Sequence, residues 1–250
     1  MGRMENIITY DTRPELHNVI FIEGLPGVGN VGKIAADFII YKLGATRLAS
    51  ILCSDLPPQV FVDAESNAYA ACVELWFVKN VNGHDLIFLS GDFQASTPQG
   101  QFELSKYIFD KIIVYDPQLI ITLGGYGLGE VVKEPRVLAA TNDPKMKSKL
   151  EKKGATFVPN EPQGGIIGAA AMFIMLANAY DIDAVCLMGE TSGFLVDHMS
   201  AECLVGVLCR YLGVKLDTSE MQGDVKQVEQ INAEVQALAE TDPEDLSYFR

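Results

Sequence analysis

The stretch Asn18-Val19-Ile20-Phe21-Ile22-Glu23-Gly24-Leu25-Pro26-Gly27-Val28-Gly29-Asn30-Val31-Gly32-Lys33-Ile34 joins a short apolar run to a glycine-rich loop and then to a helical pattern. The run from Asn18 to Ile22 is rich in β-branched residues and stops at glycine, as a buried strand of a parallel sheet does. Beyond the loop, Val31, Ile34, Ala35, Phe38 and Ile39 recur at helical spacing, with Asn30 where an N-cap is expected. A strand that feeds a helix N-terminus through glycines suits an anion, because free N–H groups and the helix dipole meet there.

Two phosphate fingerprints nearly fit this loop. Gly27-x-Gly29-x-x-Gly32, followed by a strand-like run near Leu48 to Cys53 and then Asp55, reads as a dinucleotide site whose acid would take a ribose hydroxyl. In that fold the first glycine closes the strand directly, whereas Gly24-Leu25-Pro26 intervenes here and Pro26 removes an N–H donor. Gly27-x-x-x-x-Gly32-Lys33 reads as a Walker A loop, but Ile34 stands where Ser or Thr must place a hydroxyl on magnesium. The preferred reading is a tight turn whose glycines let the helix pack close to the sheet. No cofactor is expected.

The same strand-then-glycine pattern recurs along the chain. It closes Leu86-Ile87-Phe88-Leu89-Ser90-Gly91, Leu119-Ile120-Ile121-Thr122-Leu123-Gly124 and Ala184-Val185-Cys186-Leu187-Met188-Gly189, with helical patterns between. This alternation predicts an α/β domain in which several loops gather on one edge of a mostly parallel sheet. Ala68 to Asn80, followed by Gly83 and the Leu86 run, reads instead as a β-hairpin and makes the sheet mixed. The apolar run Ile166 to Ala177 reads as a buried helix, being shorter than the roughly 20 residues that span a bilayer.

At 250 residues, 48% of them hydrophobic, the chain can bury a substantial core. A net charge of −14 argues against nucleic acid and against an anionic membrane, both of which require clustered cations. A protein or small-molecule partner is expected. Cys53, Cys72, Cys186, Cys203 and Cys209 fall at irregular spacing, form no metal or disulfide pattern, and read as small buried apolar groups. With no apolar signal region at the start, the reading is a soluble protein of a reducing cytoplasm.

Candidate chemistry is sparse. Asp92, Glu190 and Asp197 follow strand-like runs and are the acids able to converge at the strand ends, where α/β enzymes hold their sites. Asp197 beside His198 reads rather as a helix start, with the acid near the positive end of the dipole. Gly124-Gly125-Tyr126-Gly127-Leu128-Gly129 and Gly164-Gly165-Ile166-Ile167-Gly168 are further anion-loop candidates, for which tight packing is also an explanation.

Taken in order, five segments resemble the proteasome assembly chaperone family of archaea and actinobacteria. They are Gly24 to Gly32, Gly91-Asp92-Phe93-Gln94, Gly124-Gly125-Tyr126, the Gly164 to Gly168 helix start, and Met188-Gly189-Glu190-Thr191-Ser192-Gly193 with Asp197. The likeness covers residues 15 to 215. It implies a three-layer α/β/α fold similar to that of nucleoside phosphorylases and related hydrolases, a homo-oligomer, a proteasome partner, and no established catalysis.

Three segments are expected: an α/β/α core over 1–215, an amphipathic helix over 216–240, and a flexible tail over 241–250. In the helix, Val225, Val228, Ile231, Val235 and Leu238 step by three or four among polar residues, a narrow stripe suited to its own domain or to another subunit. In the tail, Thr241-Asp242-Pro243-Glu244-Asp245 breaks the helix and Leu246-Ser247-Tyr248-Phe249-Arg250 follows. That end resembles the hydrophobic-tyrosine-any tripeptide by which proteasome activators and archaeal members of this family dock between α subunits. Tyr248 takes the hydrophobic place, Phe249 the tyrosine place, and Arg250 the last; Phe249 keeps the ring and loses the hydroxyl.

The reading is therefore a non-enzymatic chaperone or adaptor of the proteasome core particle. The alternative is a phosphorylase- or hydrolase-like enzyme at the strand-end glycine loops, using Gly27, Gly29 and Gly32 with Asp92, Glu190 or Asp197.

Overall fold

The quoted stretch folds as a buried strand, a single 3-10 turn over Val28–Asn30 and a helix in the computed structural model, which describes residues 6–221. In chain order the elements are β1 (Asn6–Tyr10), β2 (Ile20–Glu23), α1 (Val31–Lys42), β3 (Thr46–Cys53), β4 (Val60–Val62), β5 (Ala68–Ala70), β6 (Val73–Val81) and β7 (His84–Gly91). There follow α2 (Pro98–Ile112), β8 (Leu119–Gly127), β9 (Val137–Thr141), α3 (Pro144–Glu151), β10 (Ala155–Thr156), α4 (Gly168–Ala179), β11 (Ala184–Thr191) and α5 (His198–Leu212).

Nine strands form one sheet in the order β1-β3-β6-β7-β2-β8-β11-β9-β10, and β4 pairs with β5 separately. The centre, β7-β2-β8-β11, is parallel. Antiparallel strands flank it: β6, β3 and β1 on one side, β9 on the other. Every residue of β2 and β11 is buried, which is why these strands read as unbroken apolar runs and not as alternating ones. The expected hairpin is β6 and β7; Ala68–Ala70, which the sequence reading placed within it, is the separate strand β5.

Helices cover both faces. Phe21 of β2 meets Phe173 of α4 with ring centroids 5.0 Å apart, in a core that includes Leu104, Ile108 and Phe109 of α2. Helices α1 and α5 pack together on the opposite face. Helix starts follow local chemistry: Thr97 accepts from Gly100 N–H before α2, Asp143 from Lys145 N–H before α3, and Asp197 from Ser200 N–H before α5. The first two are followed by proline at the first helical position. Asn30 departs from expectation. It occupies the N-cap position of α1 with a left-handed backbone (φ 53°) and makes no side-chain capping bond. Asparagine tolerates that conformation, so the residue serves the turn more than the helix.

Gly24 and Gly32 of the quoted stretch are packing glycines. A Cβ on Gly24 would lie 2.4 Å from Ala36 Cβ, and one on Gly32 would lie 2.3 Å from the Leu123 carbonyl oxygen. Helix α1 thus rides directly on the backbones of β2 and β8. Helix α4 begins at Gly168, two residues later than the apolar run, and Ile167 is exposed.

Residues through Leu216 make one compact unit. Ser219–Met221 are helical. The stripe from Val225 to Leu238 and the tail with Tyr248, Phe249 and Arg250 lie outside the described residues. No helix among the described residues is long and apolar enough to cross a membrane.

Candidate functional site

The loops that follow the parallel strands enclose a cavity of about 200 Å3. Its floor is the last residue of β2, Glu23; its walls come from the glycine loops and from the start of α4, with Gln94, Gly125, Gly168 and Met188 among them. Strand register builds the floor. Glu23 is level with Thr122 on β8, and Thr122 with Cys186 on β11, so three neighbouring parallel strands present Glu23, Thr122 and Cys186 in one row.

Glu23 is 1% exposed. Its Oε1 accepts the Leu25 N–H at 3.0 Å, while its Oε2 is buried and has no hydrogen-bond partner. Burial penalises the charged form and pushes the carboxyl up to about 8, against the smaller opposing effect of the Leu25 N–H. Near neutral pH the group is therefore a carboxylic acid, a donor as well as an acceptor. Burial also pushes the Cys186 thiol up to about 12, with the Thr122 hydroxyl beside it acting the other way. The same cause holds Cys72 and Cys209 at about 11. Such thiols are not thiolates at neutral pH, in keeping with their reading as small apolar groups; Cys72 and Cys203 are only half-buried.

Gln94 ties the cavity wall together. Its Nε2 donates to the Pro26 carbonyl at 2.6 Å, and its Oε1 accepts from Ala169 N–H and from Gln101 Nε2 at 3.0 Å each. One side chain thus links the β2–α1 loop, α2 and the first turn of α4.

The acids singled out by sequence lie in separate bonds. Asp92 accepts from Cys72 N–H at 3.2 Å and borders a second, polar cavity of about 240 Å3 that also involves Lys33, Asp37 and Ser90. Glu190 is buried and accepts from Arg136 Nε at 2.9 and 3.0 Å and from Arg136 N–H at 3.0 Å. Burial works to raise its pKa, and the Arg136 bonds and charge overcome this and hold it below the usual carboxylate value. Asp197 caps α5. Of the loop glycines, Gly27 lines the strand-end cavity, Gly32 packs on β8, and Gly29 (φ 62°) sits against Thr191. The acid at the cavity floor is instead Glu23. The signal available in the sequence was a lone carboxylate ending an otherwise apolar strand just before a glycine.

The phosphate-loop readings find no support in this geometry. Lys33 Nζ pairs with Asp37 at 2.7 Å on its own helix, and Asp55 holds Thr97 N–H at 2.8 Å. No group of three or more metal-ligating side chains occurs among the described residues. ATP and NAD are expected to bind no more tightly than about 1 mM, equivalent to about 4 kcal/mol; micromolar binding in a calorimetric titration contradicts this.

Comparison with known proteins agrees with the architecture. The model of the PAC2 family matches residues 21–236. An uncharacterized protein of Methanocaldococcus jannaschii is 32% identical over 225 residues, spanning 90% of this chain and 86% of that protein. The crystal structure of Pyrococcus furiosus PbaB, an archaeal proteasome activator, superposes with a TM-score of 0.86 at 30% identity, over 93% of this chain and 99% of that one. Pyrococcus furiosus PbaA, an archaeal homolog of proteasome-assembly chaperone, shares the fold with a TM-score of 0.78 at 23% identity, over 96% of each chain.

Proposed function

We propose that this chain, which belongs to the PAC2 family, is a non-catalytic proteasome assembly chaperone or core-particle adaptor. The observation that carries this reading is the likeness to the proteasome activator PbaB across nearly the whole of both chains. The engagement of Asp92, Glu190 and Asp197 in separate structural bonds weighs against the hydrolase- or phosphorylase-like alternative.

The docking element is Tyr248-Phe249-Arg250, whose two aromatic rings suit an apolar pocket between α subunits. The chain works as a homo-oligomer, with the stripe Val225, Val228, Ile231, Val235 and Leu238 supplying apolar contact. Its place is the cytoplasm, with the core particle.

Surface plasmon resonance on an immobilised proteasome α ring tests the tail. Removing Tyr248-Phe249-Arg250 is expected to weaken binding by about thirtyfold per site, since a buried aromatic anchor commonly contributes about 2 kcal/mol. Phe249→Tyr, which restores a hydroxyl, is expected to bind as well as the native chain or better. Equal binding by the truncated and intact chains removes the tail from the mechanism.

A further inference from the structure

The strand-end cavity brings together a buried carboxyl oxygen that has no partner and the first turn of a helix. Glu23 Oε1 already accepts the Leu25 N–H, so the carboxylic hydrogen belongs on Oε2, the oxygen that has no partner. An α-helix leaves its first N–H groups without an intrahelical acceptor. At α4, which has 12 residues, the preceding Ile167 provides no side-chain cap, and Gln94 takes up the N–H of Ala169. The neighbouring Gly168 and Ala170 both line the cavity. The rest of the wall is largely apolar, with Val28, Ile166 and Met188 among its side chains.

We infer that this cavity is a binding site for a small organic carboxylate with an apolar body, held between the Glu23 Oε2 hydroxyl and the open first turn of α4. The helix end favours negative charge, and a neutral acid donating to a carboxylate makes a short, charge-assisted bond. A cationic ligand fits the site less well, because it faces the positive end of the α4 dipole and needs Glu23 ionised in surroundings that disfavour the ion. The ligand's body lies against Met188 and Ile166, and its size is bounded by the volume of about 200 Å3. The proposed site uses residues of the first unit and the tail proposal uses Tyr248-Phe249-Arg250, so the two proposals are tested by separate experiments.

The experiment uses the full chain labelled at methionine methyl groups, with the Met188 resonance assigned from Met188→Leu. Benzoate and benzylamine, two probes with the same ring and opposite charge, are titrated into the millimolar range, where ligands of this size bind. At about pH 6.5 benzoate is expected to shift the Met188 methyl saturably and benzylamine to leave it unmoved. Because the site needs the protonated acid, benzoate affinity is expected to fall about thirtyfold by about pH 9.5. Glu23→Leu is expected to lose at least about tenfold in affinity. Glu23→Gln keeps an N–H donor at the same place, so it is expected to retain benzoate and to abolish the pH dependence, which a purely structural role does not predict. If Glu23→Leu fails to fold, the Gln variant and the pH profile carry the test. Equal or stronger binding of benzylamine, the same pH profile in the native chain and Glu23→Gln, or no shift of Met188 with either probe overturns the inference, the last leaving a cavity that holds water only.

Discussion

Gly32→Ala is expected to destabilise the fold by about 3 kcal/mol or more, at the upper side of what overpacking costs. The new Cβ would lie 2.3 Å from Leu123 O, 2.6 Å from Leu123 C and 3.0 Å from Gly124 N. All three are backbone atoms of the central strand β8, so no side chain can rotate out of the way, and α1 must move as a body. Alanine gains about 1 kcal/mol over glycine in a helix, which offsets only part of that cost. Gly44→Ala is the control. Unlike Gly32, that position has a left-handed backbone (φ 61°) and nothing within 4 Å, so the cost is conformational strain alone, about 1 kcal/mol. Urea denaturation of both variants measures the difference; an unchanged midpoint for Gly32→Ala contradicts the close approach of α1 to β8.

Glu23 is expected to make stability fall as pH rises from about 5 to about 8. In the unfolded chain the carboxyl has its ordinary value of 4.5, and in the folded chain it is raised to about 8. Below 4.5 both states carry the proton and the group is neutral in its effect. Between the two values the unfolded state ionises first and binds fewer protons, so the folded state loses ground by up to about 1.4 kcal/mol per pH unit, about 5 kcal/mol across the window. Above 8 both states are ionised and the loss is complete. Glu23→Gln keeps the acceptor for Leu25 N–H and cannot ionise, so the stability of the native chain relative to Glu23→Gln should drop between pH 5 and pH 8. Parallel pH profiles of the two proteins contradict a buried, neutral Glu23.

The sequence announced the central parallel strands because strands covered on both faces leave no alternation: β2 and β11 are apolar runs ending at glycine. It also announced Asp197 as a helix start, since an N-cap is a local device read within three residues. What escaped was set across the sheet. Glu23 looked like the first polar residue of a loop, and only its register with Thr122 and Cys186, residues far away in sequence, makes it the floor of a cavity. The bond between Arg136 and Glu190 spans 54 positions and turns a catalytic candidate into a structural anchor. Asn30 misled for another reason: the same side-chain chemistry that favours N-caps also favours left-handed turns, and the turn prevailed.

Retention of the proteasome α ring by the full-length chain is the most direct measurement of the proposed role. Purified recombinant α subunits, passed over immobilised full-length protein, are expected to be retained and to elute as a complex on size exclusion. A chain that captures no α subunits, at concentrations where its own assembly is intact, contradicts the account.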